Sequence, residues 1–197
     1  MFHINRTKYE HTAYDNRMAR LLWGLIDIEK CAAWAFYQPD TEFANMIHSM
    51  KYKNRPDIAY SLGDIISRDF SEYGFFDDID GIIPVPITSK RKRERGYNQS
   101  EEFAIGLSDR IGLKVYKDII IRKSFKESQT HLNIMERRDN VKNVFSLNKN
   151  HVDISNKHIL LVDDVMTTGS TIVACATELL KIPKLKISIL TIGFTYN

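Results

Sequence analysis

Hydrophobic positions along the chain alternate between helical and extended spacing. Behind Thr41 as N-cap, with Glu42 in the first turn, Phe43, Met46, Ile47 and Met50 fall on one face and predict a helix that ends near Asn54, ahead of Pro56. Ile58, Leu62, Ile65, Ile66 and Phe70 recur every three or four positions between Asp57 and Gly74, which predicts a second helix. Residues 81–86, GIIPVP, form a short β-branched run bounded by turn formers, as expected of a buried strand with its prolines at the exit. The pattern then predicts a helix over 100–111, with Phe103, Ala104 and Leu107 on its apolar face, and a strand over 115–121. A short strand at Phe145, a buried strand over 159–162, a helix over 171–180 and a last strand over 185–192 complete the series.

Strands alternating with helices imply an α/β domain with a doubly wound, mainly parallel sheet, in which functional loops gather at the C-terminal strand ends. Residues 1–40 read as an N-terminal head segment and 41–197 as the main domain. The head is polar and aperiodic to about residue 17 and only loosely patterned over 18–36, with Trp23 and Trp34 expected to pack it onto the sheet. Residues 123–143 are long and polar. No internal repeat or low-complexity tract interrupts the chain.

Composition narrows the classes. With 197 residues and 43% hydrophobic content the chain can bury a substantial core. A formal charge of +3 argues by itself for neither nucleic acid nor membrane. The polar N-terminus lacks the apolar core of a secretion signal and no apolar run approaches the ~18 residues of a membrane span, so a cytoplasmic location is expected. Cys31 and Cys175 form no C-x-x-C pair and read as small buried hydrophobes. The six histidines show no spacing that selects a metal.

The chemistry concentrates in 158–171, HILLVDDVMTTGST. Asp163 and Asp164 leave a buried strand where ligands of open α/β sheets collect, and paired carboxylates there can accept hydrogen bonds from vicinal ribose hydroxyls or reach a hydrated Mg²⁺. Thr167, Thr168, Gly169, Ser170 and Thr171 offer hydroxyls and backbone N–H groups at a helix N-terminus, which favours a phosphate dianion. A buried strand followed by a merely capped helix is the plainer reading, but it does not require that density of hydroxyls. No G-x-x-x-x-G-K and no G-x-G occurs, which disfavours a P-loop or dinucleotide site. A receiver domain would need more strands after the acids than the one that remains. Upstream, Lys90, Arg91, Lys92, Arg93 and Arg95 surround a single Glu94 in a basic loop, suited to stabilising a leaving pyrophosphate if it is more than a solvated charge run.

LLVDDVMTTGST resembles the PRPP-binding motif of type I phosphoribosyltransferases. IHSMKYK at 47–53, PVP at 84–86, RERGYNQS at 93–100, and Gln129, Leu132, Arg137 and Asn140 resemble, in order, the ComF family of competence-associated phosphoribosyltransferase-like proteins, over about residues 16–194. The resemblance implies a type I phosphoribosyltransferase fold with a flexible hood loop. It implies ribose binding by Asp163 and Asp164, which with Arg95 form the candidate catalytic set and which are also the candidate Mg²⁺ ligands through water. It implies 5-phosphate binding by Val165, Thr167, Thr168, Gly169, Ser170 and Thr171. A pyrophosphate loop would comprise Pro86, Lys90, Arg91, Arg93, Arg95, Gly96, Asn98 and Gln99, and the hood would contribute Gln129, Arg137 and Asn140. Lys51 and Tyr52 are further candidate contacts, although Lys51 and Lys53 read somewhat more readily as helix-end cations and Tyr52 as a packing residue. The implied activity is transfer of a phosphoribosyl group from PRPP, with Mg²⁺, to a nitrogen acceptor. The alternative is a non-catalytic single-stranded DNA-binding factor in DNA uptake. Many members begin with a cysteine-rich zinc-binding module; it has either been lost from this chain or lies ahead of where the chain starts.

Overall fold

Strand β5, His158–Met166, is the axis of the molecule. In the computed structural model, which describes residues 4–123 and 144–195, it pairs in parallel with β6, Lys186–Phe194, on one side and with β2, Gly81–Pro84, on the other. Strand β1, Cys31–Phe36, pairs in parallel with the far side of β6 and completes a sheet of order β1-β6-β5-β2. The hood candidates Gln129, Arg137 and Asn140 lie outside the described residues.

The helices form where amphipathic spacing and caps coincide. Helix α2, Glu42–Tyr52, starts at Thr41, whose Oγ1 accepts the N–H of Ala44 at 3.1 Å. Helix α3, Pro56–Ser71, begins with proline at its first position, where no N–H is needed. Helix α5, Gln99–Ile111, packs on β2 and β5 and carries α3 on its back. Helix α6, Ser170–Leu179, joins β5 to β6 and packs on β5 and on a separate antiparallel ribbon of β3, Ile120–Arg122, and β4, Phe145–Leu147. The parallel α/β sheet expected from the sequence is present. Among the described residues no helix is long and apolar enough to cross a membrane.

Four features differ from the pattern-based reading. The head segment contains α1, Arg17–Leu22, and the whole of β1, whose sequence CAAWAF is buried on both faces and so shows no alternation. Trp34 is buried and donates its indole N–H to Asp69 at 2.8 Å, whereas Trp23 is 52% exposed and does not pack on the sheet. The strand expected over 115–121 is divided: Val115 makes one parallel bridge to Ile82, and only at Ile120 does β3 begin, in the other sheet. The basic loop expected after β2 is a helix, α4, Ser89–Arg95, capped by Thr88 and ended by Gly96 at φ 80°.

A polar cluster fixes the end of the sheet opposite the acids. Lys30, 5% exposed, donates to the carbonyl of Phe75 at 3.0 Å and pairs with Asp78. His158 Nδ1 lies 3.3 Å from Asp78, and its Nε2 lies 2.8 Å from the hydroxyl of Ser188, which accepts the backbone N–H of Lys30 at 3.1 Å. The order Asp, His, Ser is that of a hydrolytic triad, yet Ser188 is fully buried within β6, so the arrangement is structural.

Helices α3 and α5 meet backbone to backbone at Gly63 and Gly106. A Cβ on Gly106 would stand 2.1 Å from the carbonyl oxygen of Tyr60, and one on Gly63 would stand 2.5 Å from that of Phe103. Gly106→Ala should therefore lower stability by about 2 kcal/mol or more in a denaturant titration, since the clash outweighs the ~1 kcal/mol that alanine gains over glycine in a helix. A gain in stability would show that the helices can separate freely.

Candidate functional site

The strand does not stop at the acids. Pairing with β6 continues through Asp163, Val165 and Met166, so both carboxylates project from regular backbone rather than from a loop. Successive strand residues point to opposite sides, and each acid accordingly meets a different helix. Asp163 Oδ1 accepts the hydroxyl of Ser100, in the first turn of α5, at 2.9 Å and the N–H of Asp164 at 2.9 Å. Asp164 Oδ1 accepts the N–H of Val165 at 2.6 Å and lies 3.0 Å from Nζ of Lys51, in the last turn of α2. Burial, and then the neighbouring Asp164 charge, push the Asp163 carboxyl up to about 7; the bonds from Asp164 N–H and Ser100 and the charge of Lys51 pull the other way.

Beyond the acids the chain turns through Thr167 and Thr168 into α6. Gly169, at φ 79°, forms the N-cap, and no side chain caps the helix. The hydroxyls of Thr168 and Ser170 lie 2.8 Å apart at its mouth. A small cavity of about 40 Å³ is lined by Asp163, Val165, Met166, Thr167, Thr168, Gly169, Ser170, Thr171 and Ile172. The helix start and one acid thus share one space, and an oxyanion there would meet the amides of the first turn, of which that of Ser170 makes a long contact of 3.5 Å to the Thr168 hydroxyl. Glycine is required at 169: besides its φ, an added Cβ would stand 3.0 Å from Leu22 Cδ2 and 3.3 Å from Met166 Cε.

A larger cavity, about 360 Å³, lies between the end of α2 and α4, lined by Lys51, Tyr52, Lys53, Asn54, Arg91, Glu94 and Arg95. Arg95 is held from two sides, donating to Gln99 Oε1 at 3.0 Å and lying 5.1 Å above the Tyr52 ring, which is itself 4.6 Å from His48. The structure thus gathers Lys51, Tyr52, Arg91 and Arg95 around one space. Lys90 and Arg93 line neither cavity and are exposed on α4. Pro86 is half-buried at the exit of β2, and Gly96 serves to end α4. Asn98 and Gln99 are buried rather than open to a ligand. The Asn98 amide donates to Val85 and its oxygen caps α5 at Ser100 N, while Gln99 holds Arg95.

Three residues with a bearing on the site escaped the sequence reading. Ser100 anchors Asp163 from 63 positions away, and only its place at the start of a helix after the basic stretch could have drawn attention to it. The Tyr97 hydroxyl donates to the carbonyl of Met50 and ties the α4–α5 junction to α2. Arg122 closes β3 and stacks 5.2 Å above Phe145; burial and the charge of Arg91 pull its pKa down while the charge of Asp163 opposes them, which places it within electrostatic reach of the acids.

The donor set at the acids suits Mg²⁺, which keeps several waters and shares phosphate oxygens with a ligand. Asp163 and Asp164 would hold it, and among the described residues no group of three or more His, Cys, Asp or Glu could form a closed metal cage.

The phosphoribosyl transferase domain family matches residues 61–192. The DNA utilization protein YhgH of Salmonella typhi is 31% identical over 139 residues, 69% of this chain and 60% of that protein. Competence protein F of Haemophilus influenzae is 38% identical over 93 residues, 47% of this chain and 41% of that protein. The chain thus spans less than two thirds of the length of these relatives. The glutamine phosphoribosylpyrophosphate amidotransferase from B. subtilis, complexed with ADP and GMP, superimposes with a TM-score of 0.50 at 15% identity, over 74% of this chain and 30% of that one, which is a likeness of fold.

Inorganic phosphate should therefore raise the thermal midpoint of the protein, by the equivalent of about 1.4 kcal/mol at ten times its dissociation constant. Thr168→Ala with Ser170→Ala should shrink the shift and Gly169→Ala abolish it. An equal shift in all three proteins would place the anion elsewhere.

Proposed function

Since the chain belongs to the phosphoribosyl transferase domain family, in its ComF branch, we propose that it binds PRPP and transfers the phosphoribosyl group to a nitrogen acceptor with release of pyrophosphate. One observation carries the reading: the start of α6 and the carboxylate of Asp163 line the same small cavity, so that a sugar hydroxyl and a phosphate of one ligand could be met together. The 5-phosphate rests on the amides and hydroxyls of Thr167 to Thr171, and the ribose hydroxyls donate to Asp163 and Asp164. As the bond from C1 to the pyrophosphate oxygen breaks, its electron pair leaves with the pyrophosphate, whose growing charge Arg91 and Arg95 meet from the larger cavity. The acceptor nitrogen forms the new bond to C1 and gives up a proton to solvent. Mg²⁺, held at the acids, would neutralise charge on the diphosphate. Ser100 fixes the Asp163 rotamer, and the Tyr52 ring and Gln99 fix Arg95, so both halves are organised before the ligand arrives.

A second reading rests on the cations that face neither cavity. Lys90 and Arg93 are exposed on α4 beside Arg91, and a basic helix of this kind suits the backbone of single-stranded DNA. The names of the relatives, DNA utilization protein and competence protein, favour the same partner.

The two readings separate experimentally. Pyrophosphate release from PRPP and Mg²⁺ should be measured with a panel of bases, amines and ammonia, and Asp163→Asn with Asp164→Asn should reduce it by about 10²-fold or more if the acids position the ribose. Identical background rates in wild type and variant would reject catalysis. Single-stranded DNA binding should weaken steeply with salt and fall further in Lys90→Ala with Arg93→Ala. No binding even at low ionic strength would remove the second reading.

A further inference from the structure

The acid pair already carries a cation of the protein's own. Lys51 Nζ stands 3.0 Å from Asp164 Oδ1, with the two side chains only 23% and 13% exposed, so this is a shielded pair rather than a surface contact. The lysine is held in place from several directions. Thr41 caps the start of α2; Phe43, Ile47 and Met50 are buried beneath it; and the Tyr97 hydroxyl binds the Met50 carbonyl one residue before Lys51. Helix α2 precedes residue 61, so this contact comes from outside the stretch that matches the phosphoribosyl transferase domain and from within the IHSMKYK segment. Two neighbouring carboxylates repel, and a tethered ammonium relieves that repulsion without any metal.

We propose that Lys51 is a built-in counter-cation for the acid pair, occupying at Asp164 the place a divalent cation takes when metal and sugar phosphate arrive together, and thereby setting how far the site depends on metal. From the proposed function it takes only that metal and sugar phosphate share Asp163 and Asp164. Lys51 also lines the larger cavity beside Arg91 and Arg95. An ammonium displaced from Asp164 therefore moves toward the wall that would receive the ligand's diphosphate, and keeps its charge in use. Metal alone should bind weakly, because it competes with a covalently attached cation. Ligand alone should bind measurably, because the carboxylates are already compensated.

The test is a titration of the full chain with Mn²⁺, a spin-active stand-in for Mg²⁺, followed by electron paramagnetic resonance without PRPP. Lys51→Met should bind Mn²⁺ about tenfold more tightly than wild type, within the range usual for coupled sites. Lys51→Arg should stay weak, and adding Asp164→Asn to Lys51→Met should remove the gain. Equal Mn²⁺ affinity in wild type and Lys51→Met, both shown folded by their thermal unfolding, overturns the proposal. So does a gain that survives loss of Asp164, or one that Lys51→Arg shares. In a second arm, calorimetry with PRPP should show Lys51→Met losing more affinity than wild type when Mg²⁺ is replaced by a chelator; losses of equal size overturn the proposal. If neither protein binds PRPP while the Mn²⁺ gain appears, the proposed function fails and the role of Lys51 at the acid pair stands.

Discussion

Everything at the site follows from the parallel pairing of β5 between β2 and β6. Because β6 goes on holding it after the pairing with β2 ends at Val162, β5 stays extended to Met166, and the two acids emerge on fixed and opposite sides of one strand. One side faces the start of α5 and the other the end of α2. The same strand then delivers the chain to Gly169, whose positive φ turns it sharply enough for α6 to begin beside the acids. A carboxylate and the amides of a helix start are thus brought together although one repels what the other attracts, an arrangement that suits a ligand with a neutral sugar at one end and an anion at the other.

Charge compensation organises the surroundings. Burial makes the ionised form of Asp163 unfavourable, and the neighbouring Asp164 makes it more so. Ser100 offers a hydrogen bond and Lys51 a charge, each from a helix otherwise engaged in packing the core. Arg95 is treated the same way: an amide oxygen and an aromatic face hold it, so its direction is settled by neutral partners and its charge is left for use.

How much of this could be read in the sequence depended on whether local physics decided it. Helices α2, α3 and α5 were legible because each buries one stripe, and the DDVMTTGST stretch because a strand, two acids and a hydroxyl-rich helix start are consecutive. Strand β1 was not, since burial on both faces erases period two, and α4 was not, since its seven residues, none of them buried, carry no apolar period at all. Thr88 and Gly96 were the signals available there, a cap and a stop around a run without a core face. The partners of the acids were beyond any local reading: Ser100 and Lys51 stand 63 and 113 positions from Asp163 and Asp164, and only the folded sheet brings them near.

The polar cluster of buried Lys30, His158 and Ser188 with the exposed Asp78 has a bearing on the opposite rim. It joins the first residue of β5 to the third residue of β6 and to the residue just before β1. A shift of one position between β5 and β6 would break these polar contacts inside an apolar layer, and at the other end it would turn Asp163 and Asp164 each to the wrong side. The cluster therefore acts as an end-stop that indexes the strands, and the alignment of the rim that carries the acids is set about five residues away.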